Sequence, residues 1–239
     1  MEPNFLPVYH AALERCGVES GSRLLDVACG SGLAAATAAH RGAQVSGVDA
    51  SEALLEVARS RVPNGEFLLG DLESLPLDNH EFDVVTGFNA FQYAGNPILA
   101  LGEARRVVKP EGIVLIMTWG LPEEMEAAST VAALKALMPP APASAPGPFA
   151  LSDETRLRDF ADQAGLTADE IFDVDAPWVF GSLDEALRAL KSPGVAARAI
   201  AHSGEAALDE ANRQLLAPFR RADGTYRLGA RYRCLVTRA

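Results

Sequence analysis

Three aspartates and two glycines carry the chemistry that this chain announces. Asp26 lies near the end of the apolar run Leu24-Leu25-Asp26-Val27, and the small-residue turn Ala28-Cys29-Gly30-Ser31-Gly32 follows. Asp49 comes 17 residues after Gly32, at the end of a second apolar run, and Asp71 stands in Gly70-Asp71-Leu72. Gly30 and Gly32 lack a Cβ, so backbone can approach a ligand closely there. The turn opens the helical run 33–40, whose N-terminal N–H groups and dipole favour a carboxylate or phosphate. Asp49 can accept both hydroxyls of an adenosine ribose. Asp71 can accept from an adenine amino group while the next N–H meets a ring nitrogen, and Asp26 can help to hold an ammonium. A cofactor with ammonium, carboxylate, ribose and adenine, and no phosphate, matches all three. Gly30-Ser31-Gly32-Leu33-Ala34-Ala35 also fits the dinucleotide pattern G-x-G-x-x-A, but a pyrophosphate is poorly served by this much negative charge.

These residues need strands that end side by side. The sequence predicts a helix over 5–16, strands over 23–27, 44–48, 66–69, 82–86 and 112–118, and helices over 33–40, 51–61 and 97–108. Ser51 is the expected cap of the 51–61 helix. Short continuous apolar runs alternating with helices are the pattern of strands buried on both faces, so the expected fold is α/β with a doubly wound sheet. Further helices are expected over 153–164, 183–190 and 205–216, with strands near 170–174 and 231–236. The stretch 139–148, P-P-A-P-A-S-A-P-G-P, cannot be regular structure. The expected organisation is one domain over 1–239 with cap segments at roughly 121–150 and 181–222, both emerging at the carboxyl edge of the sheet.

In their order these pieces resemble the class I S-adenosylmethionine-dependent methyltransferases, small-molecule branch, which includes the ubiquinone and menaquinone C-methyltransferases. The resemblance spans Leu24 to Trp119 and is carried by L-L-D-V-A-C-G-S-G, V-S-G-V-D-A-S, L-L-G-D-L-E-S-L-P-L, F-D-V-V-T-G-F-N-A-F-Q-Y and R-R-V-V-K-P-E-G. Ala28 stands where the family usually has glycine, and Glu111 replaces another frequent glycine. The resemblance implies a Rossmann-like seven-stranded sheet, mostly parallel with an antiparallel last strand, plus a small helical cap. It implies S-adenosylmethionine as cofactor, with Ala28, Gly30 and Gly32 lining the methionine end and Asp49 on the ribose. Ala50 would lie against the adenine, Asp71 and Leu72 would read its edge, and Phe88 and Asn89 would sit near the sulfonium. Tyr9 would close the site from the N-terminal helix.

On the acceptor side the candidates are Gln92, Tyr93, Trp119, Trp178 and His202. Gln92 and Tyr93 follow the fourth strand and Trp119 ends the fifth, while Trp178 and His202 fall near or in the cap, where packing and surface roles compete with substrate contact. No catalytic residue is assigned, because methyl transfer needs a base only when the acceptor must lose a proton. Cys29 reads as a small filler, and three widely spaced cysteines, Cys16, Cys29 and Cys234, argue against a disulfide framework or a metal site. A net charge of −11 opposes phosphate backbones and anionic membranes, so the expected partner is a small molecule, with neither nucleic acid nor membrane. No signal-peptide pattern or long apolar run is visible, and the expected location is cytoplasmic. Arg220, Arg221, Arg227, Arg231, Arg233 and Arg238 crowd the last twenty residues, where solvated faces of an edge strand and an anionic-substrate patch are both open readings. The expected activity is methyl transfer to a small acceptor. Two alternatives stay open: a cofactor-binding protein of this fold with a lyase or cyclase activity, and an NAD-dependent oxidoreductase.

Overall fold

The short apolar runs become strands of a single large sheet. The computed structural model describes residues 2–139 and 147–239, so most of the proline-rich stretch 139–148 lies outside the described residues. In chain order the elements are α1 (Leu6–Arg15), β1 (Arg23–Val27), α2 (Leu33–Ala39), β2 (Gln44–Asp49), α3 (Glu52–Arg61), β3 (Glu66–Leu69), β4 (Phe82–Phe88), α4 (Pro97–Val107) and β5 (Val108–Trp119). They continue with α5 (Ser129–Ala136), α6 (Glu154–Gln163), β6 (Thr167–Asp175), β7 (Trp178–Phe180), α7 (Leu183–Lys191), α8 (Gly194–Ser203), α9 (Glu205–Leu216), β8 (Tyr226–Leu228) and β9 (Arg231–Arg238). The chain divides into two units. The larger holds Leu6–Gly120, Pro146–Val174 and Tyr232–Ala239, and the smaller holds Met1–Phe5, Leu121–Ala145 and Asp175–Arg231.

In the larger unit the strand order is β3-β2-β1-β4-β5-β9-β6. β1, β2, β3, β4 and β5 pair in parallel, and β9 pairs antiparallel with β5. The expected Rossmann-like seven-stranded sheet with an antiparallel last strand is therefore the observed one. Alternate residues face opposite sides. Leu25, Val27, Val85, Val114, Ile116 and Leu235 form one core with Ala100, Leu101 and Ala104 of α4 and Leu157, Phe160 and Ala161 of α6. On β1, Leu24 and Asp26 point to the other face, the side that α2 covers.

β5 starts earlier than the sequence suggests. Phe82 pairs with Val108 and Val84 with Ile113, so Lys109–Gly112 bulge out of the ladder. A bulge is where a strand tolerates proline, and Pro110 sits in it. Glu111 has φ +64° there, a left-handed conformation that glycine would adopt without strain.

The terminal arginines correct an expectation. β9 is not an edge strand, because β6 lies outside it. Arg233 holds Asp173 with two bonds of 2.8 Å and donates a third to the Ser152 carbonyl at 2.8 Å. Arg238 reaches Asp169, and Arg231 reaches Asp175 and Glu124. As β9 runs forward its partners run backward along β6, so these strands are antiparallel, and their charges form a ladder. The Arg233 side chain is 12% exposed, so Arg233→Ala leaves a carboxylate and a carbonyl without their donor. It is expected to cost about 2–3 kcal/mol, read as a lower urea midpoint.

The smaller unit contains α5, α7, α8, α9 and the ribbon β7–β8, in which Trp178 pairs with Leu228 and Phe180 with Tyr226. These four side chains are buried, while the intervening Val179 is exposed. Among the described residues no helix is long and apolar enough to cross a membrane.

Candidate functional site

Strand order places the motifs in a row. The carboxyl ends of β3, β2, β1 and β4 are neighbours, and they carry Asp71, Asp49, the glycine turn and Phe88-Asn89 in that sequence. Neighbouring strands are about 4.8 Å apart, so the row spans roughly 15 Å.

The turn itself is built from left-handed backbone. Ala28, Gly30 and Gly32 have φ of +53°, +53° and +76°. At Gly32 a Cβ would stand 2.8 Å from Ala58 Cβ and 3.0 Å from Ala58 Cα in α3, so the turn can close on α3 only without a side chain. Gly32→Ala is expected to lose about 2–4 kcal/mol of stability, from αL strain plus a backbone collision, measurable by denaturant unfolding. α2 runs seven residues, so its dipole is short.

Asp49 organises this turn. Its Oδ2 accepts from the Gly30 N–H at 2.8 Å and its Oδ1 from the Ser51 N–H at 2.9 Å. Ser51 occupies the expected N-cap position of α3, but its side chain makes no capping bond. The Asp49 carboxylate thus ties the end of β2 to both the turn after β1 and the start of α3. Each oxygen keeps a second lone pair for a ligand.

Asp26 lies opposite Thr86 on β4 and accepts its hydroxyl at 2.8 Å. It is 2% exposed. Burial pushes its carboxyl up to about 7, the Thr86 bond pulls it down, and the negative field of Asp49 adds to the rise. Cys29 is buried, and burial raises its thiol too.

Asp71 is exposed, and its Oδ1 accepts from the Glu73 N–H at 2.9 Å. Leu72 is half-buried against the core. Arg106 fixes this segment: it bonds the carbonyls of Leu75 and Leu77 and is held by Glu103, which itself accepts from the Leu75 N–H. The Arg106 guanidinium holds the Glu103 carboxyl below its usual range. Ala50 is exposed beside the row.

At the end of β4, Asn89 takes φ +53° and donates its N–H to the Met117 carbonyl at 2.9 Å. The Tyr9 ring meets Phe88 edge-on, with centroids 4.6 Å apart. Gln92 Nε2 donates to Asn89 Oδ1 at 2.9 Å, and Trp119 Nε1 points at the Tyr93 hydroxyl at 3.4 Å.

Residues 25–116 match the family model described as "Methyltransferase domain". The matched residues hold the whole row from Asp26 to Asn89. Over 106 residues the chain is 38% identical to a demethylmenaquinone methyltransferase of Clavibacter sepedonicus, covering 43% of each protein. Over 98 residues it is 35% identical to a malonyl-[acyl-carrier protein] O-methyltransferase of Serratia marcescens, covering 41% of this chain and 38% of that one. The matched stretch spans less than half of these curated relatives. A putative methyltransferase from Bacillus halodurans has a similar fold, with a TM-score of 0.65 at 18% identity over 96% of this chain and 97% of that one. The class I methyltransferase likeness read from the motifs agrees with all three.

Tyr9, Asp26, Ala28, Gly30, Gly32, Asp49, Ala50, Asp71, Leu72, Phe88, Asn89, Gln92, Tyr93 and Trp119 all belong to the larger unit. Trp178 and His202 belong to the smaller one. Trp178 is 3% exposed, with its ribbon neighbours Phe180, Tyr226 and Leu228 also buried, and His202 is exposed in the last turn of α8. Sequence reading did not find Phe149 and Tyr232. Both rings lie against Trp119, with centroids 6.3 Å and 5.2 Å away. Phe149 hides beside the proline-rich stretch. The pairing of Tyr232 with Trp119 depends on β9 lying against β5, which no local pattern announces.

Proposed function

We propose that this chain is an enzyme that transfers the methyl group of S-adenosylmethionine to a small-molecule acceptor. The observation that carries the reading is the row of Asp71, Asp49, the glycine turn and Phe88-Asn89 on four adjacent strand ends. Its length suits an extended nucleoside joined to an amino acid, and its carboxylates suit a ligand without phosphate. Bound there, the cofactor supplies an electrophilic methyl carbon on a positively charged sulfur.

The chain's own residues bind and orient. Asp49 would accept the ribose hydroxyls through the lone pairs left free by Gly30 and Ser51. Asp71 and Leu72 would meet the adenine edge, with Ala50 against the ring. Asp26, buried and readily neutral, fits an ammonium, because a cation nearby would favour its ionised form. Tyr9 and Phe88 would border the sulfonium with aromatic faces. Alignment and exclusion of water can supply a large part of the rate, with effective molarities on the order of 10⁵ M or more, so no residue need act as a base.

We assign acceptor selection to Gln92, Tyr93 and Trp119, with the smaller unit, including Trp178 and His202, as a cap. The support for a cap is connectivity: one part of that unit follows β5 and the other follows β6, two strands of the same direction. The deciding experiment is calorimetric titration with S-adenosylmethionine, S-adenosylhomocysteine and NAD. Micromolar binding of the first two without NAD binding is the expected result. NAD binding alone overturns the reading in favour of an oxidoreductase.

A further inference from the structure

Buried polar atoms normally find a partner, so each exception asks for a reason. Among the described residues five side-chain atoms stand out: Gln92 Oε1, Thr118 Oγ1, Ser152 Oγ, Asp209 Oδ1 and Asn212 Nδ2. A hydroxyl can turn toward whatever is near. An amide oxygen cannot, because its partner must bring the hydrogen.

Gln92 is 3% exposed and sits in the turn Phe91–Tyr93 directly after β4. Its orientation is fixed at both levels. Nε2 is committed to Asn89 Oδ1, and Asn89 is anchored in turn through its N–H to Met117. The oxygen is therefore the end of the side chain that has no hydrogen to receive. Tyr93 follows Gln92 in the turn, and its phenol interacts with the Gln92 amide and with the Trp119 indole. Tyr93 is 60% exposed, and its bond to Trp119 is at the 3.4 Å limit. Behind it stands an apolar wall of Trp119, Phe149 and Tyr232.

We propose that Gln92 is a specificity-determining residue: its Oε1 accepts a hydrogen bond from a neutral O–H or N–H on the methyl acceptor, whose apolar body lies against Tyr93 and the Trp119 wall. This rests on the methyltransferase reading above. The acceptor is selected as a donor-bearing neutral molecule. A carboxylate in the same place would set its lone pairs against the Gln92 oxygen, with no cation among the residues of this wall to compensate. An unmet buried acceptor rejects ligands lacking the donor more sharply than an apolar pocket rejects a misplaced methyl group.

The test uses the full chain saturated with S-adenosylhomocysteine and three probes of one shape: 2-naphthol, 2-methoxynaphthalene and 2-naphthoate. Ligand-observed NMR titration gives each affinity. The expected result is 2-naphthol binding at least tenfold tighter than the other two, with the Gln92 side-chain amide and Trp119 indole resonances shifting. In Gln92→Leu the tenfold preference over 2-methoxynaphthalene is expected to collapse to about onefold through loss of naphthol affinity. Equal binding of naphthol and its methyl ether by the unaltered protein overturns the proposal, as does an unchanged preference in Gln92→Leu or binding of none of the probes. Failure of S-adenosylhomocysteine to bind in the same samples would instead count against the cofactor reading.

Discussion

Asp49→Ala is expected to weaken S-adenosylmethionine binding by about 2–4 kcal/mol, roughly 30- to 700-fold. Hydrogen bonds to a charged group are worth roughly 1.5–3 kcal/mol each and do not add fully. The structure adds a second route to the same loss. The carboxylate also accepts from the N–H groups of Gly30 and Ser51, so its removal frees the turn that must meet the methionine end. Asp49→Asn separates the two contributions, since an amide oxygen can still accept from one N–H but the charge is gone. Calorimetry gives the affinity and circular dichroism the fold. Unchanged affinity in a folded Asp49→Ala protein would remove the ribose assignment.

The second large effect is a pH dependence. Asp26 has its carboxyl raised to about 7 in the folded chain, against 3.8 for an ordinary aspartate, with burial as the main cause. Below the lower value both folded and unfolded chains hold the proton. Between the two values the unfolded chain releases it and the folded chain keeps it, so this residue's contribution to stability falls as pH rises. Above the higher value the loss is complete. At about 1.4 kcal/mol per pKa unit the loss approaches about 4 kcal/mol as an upper bound. Asp26→Asn is expected to flatten this part of the urea-midpoint profile and to be the more stable protein at pH 8. Parallel profiles for the two proteins would sink the argument. A cationic ammonium beside Asp26 would favour its ionised form, so cofactor binding at pH 6 is expected to release a proton. Titrations in two buffers of different ionisation enthalpy read that directly.

Much of the larger unit was legible because its signals are local. β1 and β3 fall where their apolar runs predicted, since strands covered on both faces need no alternation to be seen. The glycine turn and the three carboxylates were legible as residue types at a spacing that suits the proposed ligand. The grip of Asp49 on Gly30 was not, because it joins positions that only the pairing of β1 with β2 brings together. β7 and β8 escaped notice for a similar reason. Three residues are too few to show a period, and their partners lie far apart in the chain. α5 and α8 are rich in alanine, and alanine on both faces blurs the apolar stripe that marks a helix. The arginines of β9 looked like a solvated edge because strand order is not written in any one strand.

The placement of β9 has a consequence for how the chain comes to life. Asp175, which closes β6, waits for Arg231, 56 residues further on, before its partner strand exists. During synthesis the apolar stretch Ile113–Met117 of β5 keeps one bare flank until that late strand has left the ribosome. Such a flank is a template for a neighbouring nascent chain. Asp169, Asp173 and Asp175 of β6 meet their arginines only when β9 arrives, so the waiting strand keeps three like charges until then, and like charges set opposite each other disfavour strand pairing.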